Sequence, residues 1–172
     1  MSLDKIKILI LGLRSSGKTS IVYSLQKKIN LLNFVNLKPT RGINKIEFEE
    51  GNSKFYVWDF GGQESYRKEY IERMDRYFNE TKKFIYVIDI QEQELYDNSL
   101  QFLEDIILIL KKKELFGIGI SIFLHKYDPD LVIDEEIPIN LVKKIEAFIP
   151  KDFKFKIFKT SIYTVFRKMP FP

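Results

Sequence analysis

The chain opens with an apolar run, Ile6 to Leu11, interrupted only by Lys7 and closed by Gly12. That pattern reads as a strand feeding a glycine turn. Ile21, Val22, Leu25 and Ile29 then recur at helical spacing, which predicts a helix over Ser20 to Ile29. Leu31 to Leu37 has no period and ends at Lys38-Pro39-Thr40-Arg41-Gly42, where proline and glycine forbid continued helix. Ile43 to Glu49 alternates, with Ile46 and Phe48 on one face and Lys45, Glu47 and Glu49 on the other. The turn Glu50-Gly51-Asn52 returns the chain through Lys54 to Trp58, so an antiparallel hairpin is expected. After a polar helix over Tyr66 to Phe78, the continuous apolar run Phe84 to Ile88 suits a central strand buried on both faces. Leu100, Leu103, Ile107 and Leu110 mark an amphipathic helix over Leu95 to Leu110. Ile118 to Leu124 is the next strand, Pro138 to Phe148 a shorter helix, and Phe153 to Lys159 a last strand whose lysines suit a sheet edge.

The resulting order is β-α-β-β-α-β-α-β-α-β. With right-handed crossovers it gives an α/β fold, a six-stranded, mostly parallel, doubly wound sheet with one antiparallel strand. No internal repeat, low-complexity tract or linker divides the chain, so one domain over residues 1–172 is expected.

Composition narrows the chemistry. At 172 residues, 45% hydrophobic and 15% aromatic, the chain is long enough for one sizeable core and too short for two ordinary domains. It has no cysteine, which excludes disulfides, thiol catalysis and cysteine metal sites and suits a reducing cytoplasm. The net charge of +4 comes from interspersed Lys and Glu rather than a basic stripe, which argues against nucleic acid as a partner, and Lys111 to Lys113 read as the solvated end of a helix. No stretch is long and apolar enough to span a membrane, the first strand leaves no room for a signal peptide, and Ser2 stands where an N-myristoylation signal needs glycine. Neither a membrane span nor a lipid anchor is expected.

Candidate chemistry begins where the first strand ends. Gly12-Leu13-Arg14-Ser15-Ser16-Gly17-Lys18-Thr19 matches G-x-x-x-x-G-K-[ST], with a strand before it and a helix after. Gly12 and Gly17 let the backbone bend round an anion, and the N–H groups of the loop and first helical turn, Ser15, Ser16 and Ser20 among them, point at phosphate oxygens. Lys18 bridges the β- and γ-phosphates as a point charge, and the Thr19 hydroxyl goes to Mg²⁺. This is the signature of a P-loop NTPase. Three more loops fall at strand ends, Lys38 to Gly42, Asp59-Phe60-Gly61-Gly62-Gln63 and His125-Lys126-Tyr127-Asp128, with Thr160-Ser161-Ile162 closing the last strand. In an open α/β sheet that edge is where ligands bind.

The ordered set GLRSSGKTS, PTRGIN, WDFGGQE, HKYD and TSI resembles the Ras superfamily of small GTPases over nearly the whole chain. Within it, GLRSSGKTS, WDFGGQ, FIYVID, HKYD and TSIY look like the Rag/Gtr family, especially its Rag C and D type, whereas PTRGIN looks like the first switch of the Arf family. A Rag-like or ancestral Arf/Rag-type protein is the expectation. The resemblance implies GTP or GDP with Mg²⁺ as ligands, and Thr19, Thr40 and Asp59 as the metal residues. It also implies that Gly62 meets the γ-phosphate through its N–H and that Gln63 orients the attacking water. Asp128 then selects guanine, Lys126 lies along the base plane, and the backbone at Ser161 and Ile162 meets the guanine carbonyl. His125, the only histidine, lacks the companions of a metal site and reads as a buttress of the base loop.

Two features depart from the pattern. Arg14 stands where Ras proteins have glycine; it either crowds Gln63 and slows hydrolysis, supplies transition-state charge in cis, or simply points into solvent. After Thr160-Ser161-Ile162 only Tyr163 to Pro172 remains, so the final helix is expected to be short or missing. The leading functional expectation is a Mg²⁺-dependent GTP switch with slow hydrolysis, read by an effector and served by an exchange factor and an activating protein. The alternative is a scarcely hydrolysing GTP-binding scaffold that forms one half of a heterodimer; separately, a homodimer or a heterodimer with another small GTPase is among the partner expectations. Either would be cytoplasmic, or peripheral to a membrane through a partner.

Overall fold

The computed structural model describes residues 3–25 and 37–163. The predicted end of the first helix at Ile29, most of the connection before Leu37 and the tail beyond Tyr163, where the final helix is expected to be short or missing, lie outside those residues. The strands are β1 (Asp4–Gly12), β2 (Ile43–Glu50), β3 (Ser53–Phe60), β4 (Thr81–Asp89), β5 (Gly119–His125) and β6 (Phe155–Lys159). The helices are α1 (Lys18–Ser24), α2 (Glu64–Glu72), α3 (Met74–Phe78), α4 (Tyr96–Lys112) and α5 (Glu136–Phe148).

All six strands form one sheet in the order β2-β3-β1-β4-β5-β6. β2 and β3 pair antiparallel and every other pair is parallel, as the element order requires. The hairpin closes through two residues, and Gly51 takes the positive φ of 58° that such a turn needs at its first position. β1 sits in the middle, and its alternation splits the core. Leu9 and Leu11 join Phe84, Tyr86, Ile88 and the apolar face of α4 on one side. Ile8 and Ile10 join Val57, Ile85, Val87 and the α1 residues Ile21 and Val22 on the other. Phe84 to Ile88 is therefore buried on both faces, the physical reason for its unbroken apolar run.

The expected amphipathic helix is α4, whose Leu103, Ile106 and Leu110 are fully buried and whose last turn carries the exposed Lys111 and Lys112. Cations at that end also complement the helix dipole. The single helix expected over Tyr66 to Phe78 is instead two. Arg73 breaks it with φ −115°, and its N–H turns back to the Tyr70 carbonyl at 3.2 Å as in a tightened last turn. α5 starts two residues earlier than expected because the Asp134 carboxylate accepts the Glu136 N–H at 2.9 Å, leaving Pro138 in the first turn where its missing N–H costs nothing. Trp58 is half-buried at the edge of the core, with the ammonium groups of Lys7 and Lys45 at 4.2 and 3.9 Å from its ring centroid.

This packing makes a direct comparison possible on one helix. Leu103→Ala should cost about 3 kcal/mol in urea unfolding. Leu108→Ala, at a position 56% exposed on the same helix, should cost under about 0.5 kcal/mol.

Candidate nucleotide-binding site

Parallel strands deliver their C-terminal ends to one edge of the sheet, and there the loops after β1, β3, β4, β5 and β6 meet. After β1 the chain turns through Ser15 at φ 58° and Gly17 at φ 89° before α1 begins. A side chain at Gly17 would be strained by that φ, and its Cβ would sit 2.3 Å from the His125 ring. His125 is 3% exposed, and its Nδ1 lies 2.9 Å from the Thr160 hydroxyl, so the imidazole wedges between the loop after β1 and the end of β6. Burial lowers its pKa, with Asp89 acting in the opposite direction.

Lys18 is buried, and its ammonium donates to the Leu13 carbonyl at 2.6 Å and to Ser16 Oγ at 3.4 Å. Burial brings its pKa down to about 8, against the pull of the Asp59 carboxylate. The Thr19 hydroxyl donates to Asp59 Oδ2 at 2.7 Å, the Thr40 hydroxyl reaches the same oxygen at 3.2 Å, and the two hydroxyls are 2.9 Å apart. Two separate segments thus converge on a carboxylate supplied by a third. Asp59 is fully buried, its Oδ1 has no hydrogen-bond partner among the described residues, and burial raises its pKa against the opposing effect of Thr19, Lys18 and Thr40. An orphaned carboxylate oxygen beside two hydroxyls suits a hydrated divalent cation that takes its other oxygens from phosphates and water. Mg²⁺ is usually held by one or two carboxylates together with substrate phosphates and water.

Behind Asp59 the chain packs backbone to backbone. The Gly61 N–H donates to the Gly42 carbonyl at 2.8 Å, which also accepts the Tyr70 hydroxyl at 2.8 Å. A Cβ on Gly62 would meet the Leu13 and Arg14 backbone at 2.3 to 2.4 Å. Gln63 follows as the N-cap of α2. A groove of about 600 Å³ runs across these loops, lined among others by Arg14, Ser15, Gly17, Lys18, Thr19, Ser20, Thr40, Gly62, Gln63 and Lys126. Gly12, Ser16, Asp59 and His125 support it from beneath, all buried. Arg14 is exposed on the rim.

At the far end, the Lys126 ammonium pairs with Asp89 at 2.5 Å, and Lys126 itself takes φ 61°. Asp128 accepts a short hydrogen bond from the Ser161 hydroxyl, while Ile162 is exposed just beyond. Sequence reasoning missed Asp89 and Gln91 and gave Thr160 no role beyond its place in the loop after the last strand. Asp89 was visible only as the last residue of an apolar strand, and the partners of all three come from neighbouring strands that sequence spacing does not reveal.

A P-loop on the central strand, two glycine-punctuated loops beside it and a lysine-aspartate loop after β5 define a small GTPase. The chain belongs to the ADP-ribosylation factor (Arf) family, whose profile matches residues 1–166. It is 34% identical to ADP-ribosylation factor 1 of Brassica rapa subsp. pekinensis over 154 residues, 90% of this chain and 77% of that one. It is 33% identical to ADP-ribosylation factor-like protein 1 of Drosophila melanogaster over 159 residues, 91% and 79% of the two chains. The fold matches the Arl6 BBS3 small GTPase of Trypanosoma brucei, solved with the nucleotide analogue GppNp, at a TM-score of 0.71 and 23% identity over 91% of this chain and 87% of that one. Membership makes the chain a GTP-binding switch protein and GTP hydrolase that uses GTP, GDP and Mg²⁺, in a family served by effectors, exchange factors and activating proteins. The Rag/Gtr expectation finds no support in these matches. PTRGIN pointed to the right family, whereas the histidine of HKYD, which had suggested the other, is a packing residue against Gly17.

The contact at Gly17 gives a paired test. Gly17→Ala should lower the thermal midpoint by several degrees and abolish detectable GDP binding. Gly117→Ala, where an added Cβ meets nothing within 4 Å, should leave both near wild type.

Proposed function

We propose that this chain is a switch with slow intrinsic turnover, a single G domain over residues 1–172 whose nucleotide state is carried by Thr40 and Gly62. The observation that carries the reading is the meeting of Thr19 and Thr40 on the buried Asp59. Thr19 belongs to the P-loop helix and Asp59 to a strand end, whereas Thr40 lies in a loop with no regular structure of its own. A ligand that engages the Thr40 hydroxyl therefore controls a movable segment.

The roles follow from position. Lys18 and the N–H groups of Gly12 to Ser20 hold the phosphates, and the hydroxyls of Thr19 and Thr40 with the Asp59 carboxylate hold Mg²⁺, directly or through water. When bound, the cation neutralises charge developing on the β- and γ-phosphates. The Gly62 N–H, on the groove wall, would meet the γ-phosphate, so loss of that phosphate would release both the Thr40 loop and the turn before α2. Gln63, at the groove wall, orients the attacking water. Asp128 accepts the guanine N1–H and exocyclic amine, a donor pair that adenine lacks, while Lys126 and the backbone at Ser161 and Ile162 enclose the base.

Slow turnover is attributed to Arg14, exposed on the rim of the groove that Gln63 also lines. Single-turnover hydrolysis by Arg14→Gly should run severalfold faster than wild type, and an unchanged rate would remove Arg14 from the chemistry. Gln63→Leu should slow the same step about a hundredfold without weakening GTP binding. Chelating Mg²⁺ should speed GDP release about tenfold or more. Partner capture that depends on a GTP analogue supports the switch, whereas equal capture with GDP supports a scaffold.

A further inference from the structure

The end of β4 reaches across to the base loop through a side chain that the family motifs do not contain. Gln91 Nε2 donates to the Lys126 carbonyl at 2.9 Å and to Asp128 Oδ2 at 3.2 Å. Both acceptors are oxygens that cannot donate, so the orientation of the amide is fixed by its partners, with NH₂ toward the base loop. The Gln91 backbone N–H donates to Asp89 Oδ1 at 3.0 Å, and Asp89 Oδ2 pairs with the Lys126 ammonium at 2.5 Å. Asp89, Gln91 and Lys126 therefore form a closed bracket, each holding the next. It maintains Lys126 at φ 61°, a conformation that a long side chain rarely adopts.

We infer that Gln91 is a positioning residue for guanine specificity: with Ser161 it fixes the Asp128 carboxylate before nucleotide arrives. This rests on the reading of Asp128 as the group that selects the base. Ser161 donates to Asp128 Oδ1 and Gln91 to Oδ2, so each oxygen is held by one protein donor from a different strand end. A carboxylate has about four acceptor sites, which leaves one on each oxygen for the base. Those two face the N1–H and the exocyclic amine of guanine. Rotation of the carboxylate is restrained in the free protein, so less ordering is required on binding. A site whose acceptors are fixed for two donors also rejects a base that offers one, because the second acceptor then stays unpaired.

The test uses the full chain with GDP and with inosine diphosphate, whose base lacks the exocyclic amine. Gln91→Met keeps the length and removes both donors, and Gln91→Ala removes the side chain. Both should weaken GDP about tenfold and inosine diphosphate distinctly less, so the preference for GDP falls. Equal losses for the two nucleotides, or no loss, would overturn the inference, since loosened packing alone moves both together. Asp128→Asn separates the underlying reading, because the amide can donate to the C2 carbonyl of xanthine. A gain in xanthosine diphosphate binding supports Asp128 as the base selector, and with an unchanged preference in Gln91→Met only the role of Gln91 fails. Without that gain, the reading of Asp128 fails and the role of Gln91 with it.

Discussion

A fully buried carboxylate at the end of β3 has for neighbours two threonine hydroxyls and, further off, a buried lysine. Burying Asp59 is expensive unless its charge is compensated, and its raised pKa expresses that cost. The compensating groups come from two segments, Thr19 and Lys18 from the P-loop and Thr40 from the loop before β2. A cation and phosphates entering the groove supply what the protein alone lacks. In the proposed function, completing the site with ligand fixes the position of Thr40.

The sheet makes this possible by being indifferent to what happens at its edge. β1 is flanked on both sides by parallel strands, with apolar residues on both faces, so the base of the P-loop is held by core packing. Close backbone approaches also occur beside the groove. Gly62 lies against the Leu13 and Arg14 backbone with no space for a side chain, and Gly61 is tied to Gly42. Two loops distant in sequence thereby share one backbone surface with the P-loop, the arrangement on which the proposed γ-phosphate coupling rests.

Much of this was legible in the chain because it depends on local chemistry. Glycines at the strand ends, the lysine and threonine after Gly17, and the run Phe84 to Ile88 each carry their own physical reason, and together they gave the sheet, its one antiparallel pair and most of the groove. What stayed hidden depends on contacts between strands. Gln91 looks like an ordinary polar residue after a strand until β4 and β5 are known to be neighbours in a fixed register, with Asp89 opposite His125. The HKYD loop misled for the same reason. It was read as a subfamily mark, yet its His125 ring is constrained by Gly17 on one side and Thr160 on the other. Trp58 took its half-exposed place because Lys7 and Lys45 lie over its ring, an arrangement that needs all three strands at once.

The central claim is that the γ-phosphate joins the Thr40 loop and the Gly61-Gly62-Gln63 turn into one unit. Amide hydrogen exchange over residues 38–42 and 61–66, with Mg²⁺ and either GDP or a non-hydrolysable GTP analogue, tests it most directly. Protection of both segments should rise together with the GTP analogue and fall together with GDP. Equal exchange in the two nucleotides, or a change in one segment alone, would contradict it.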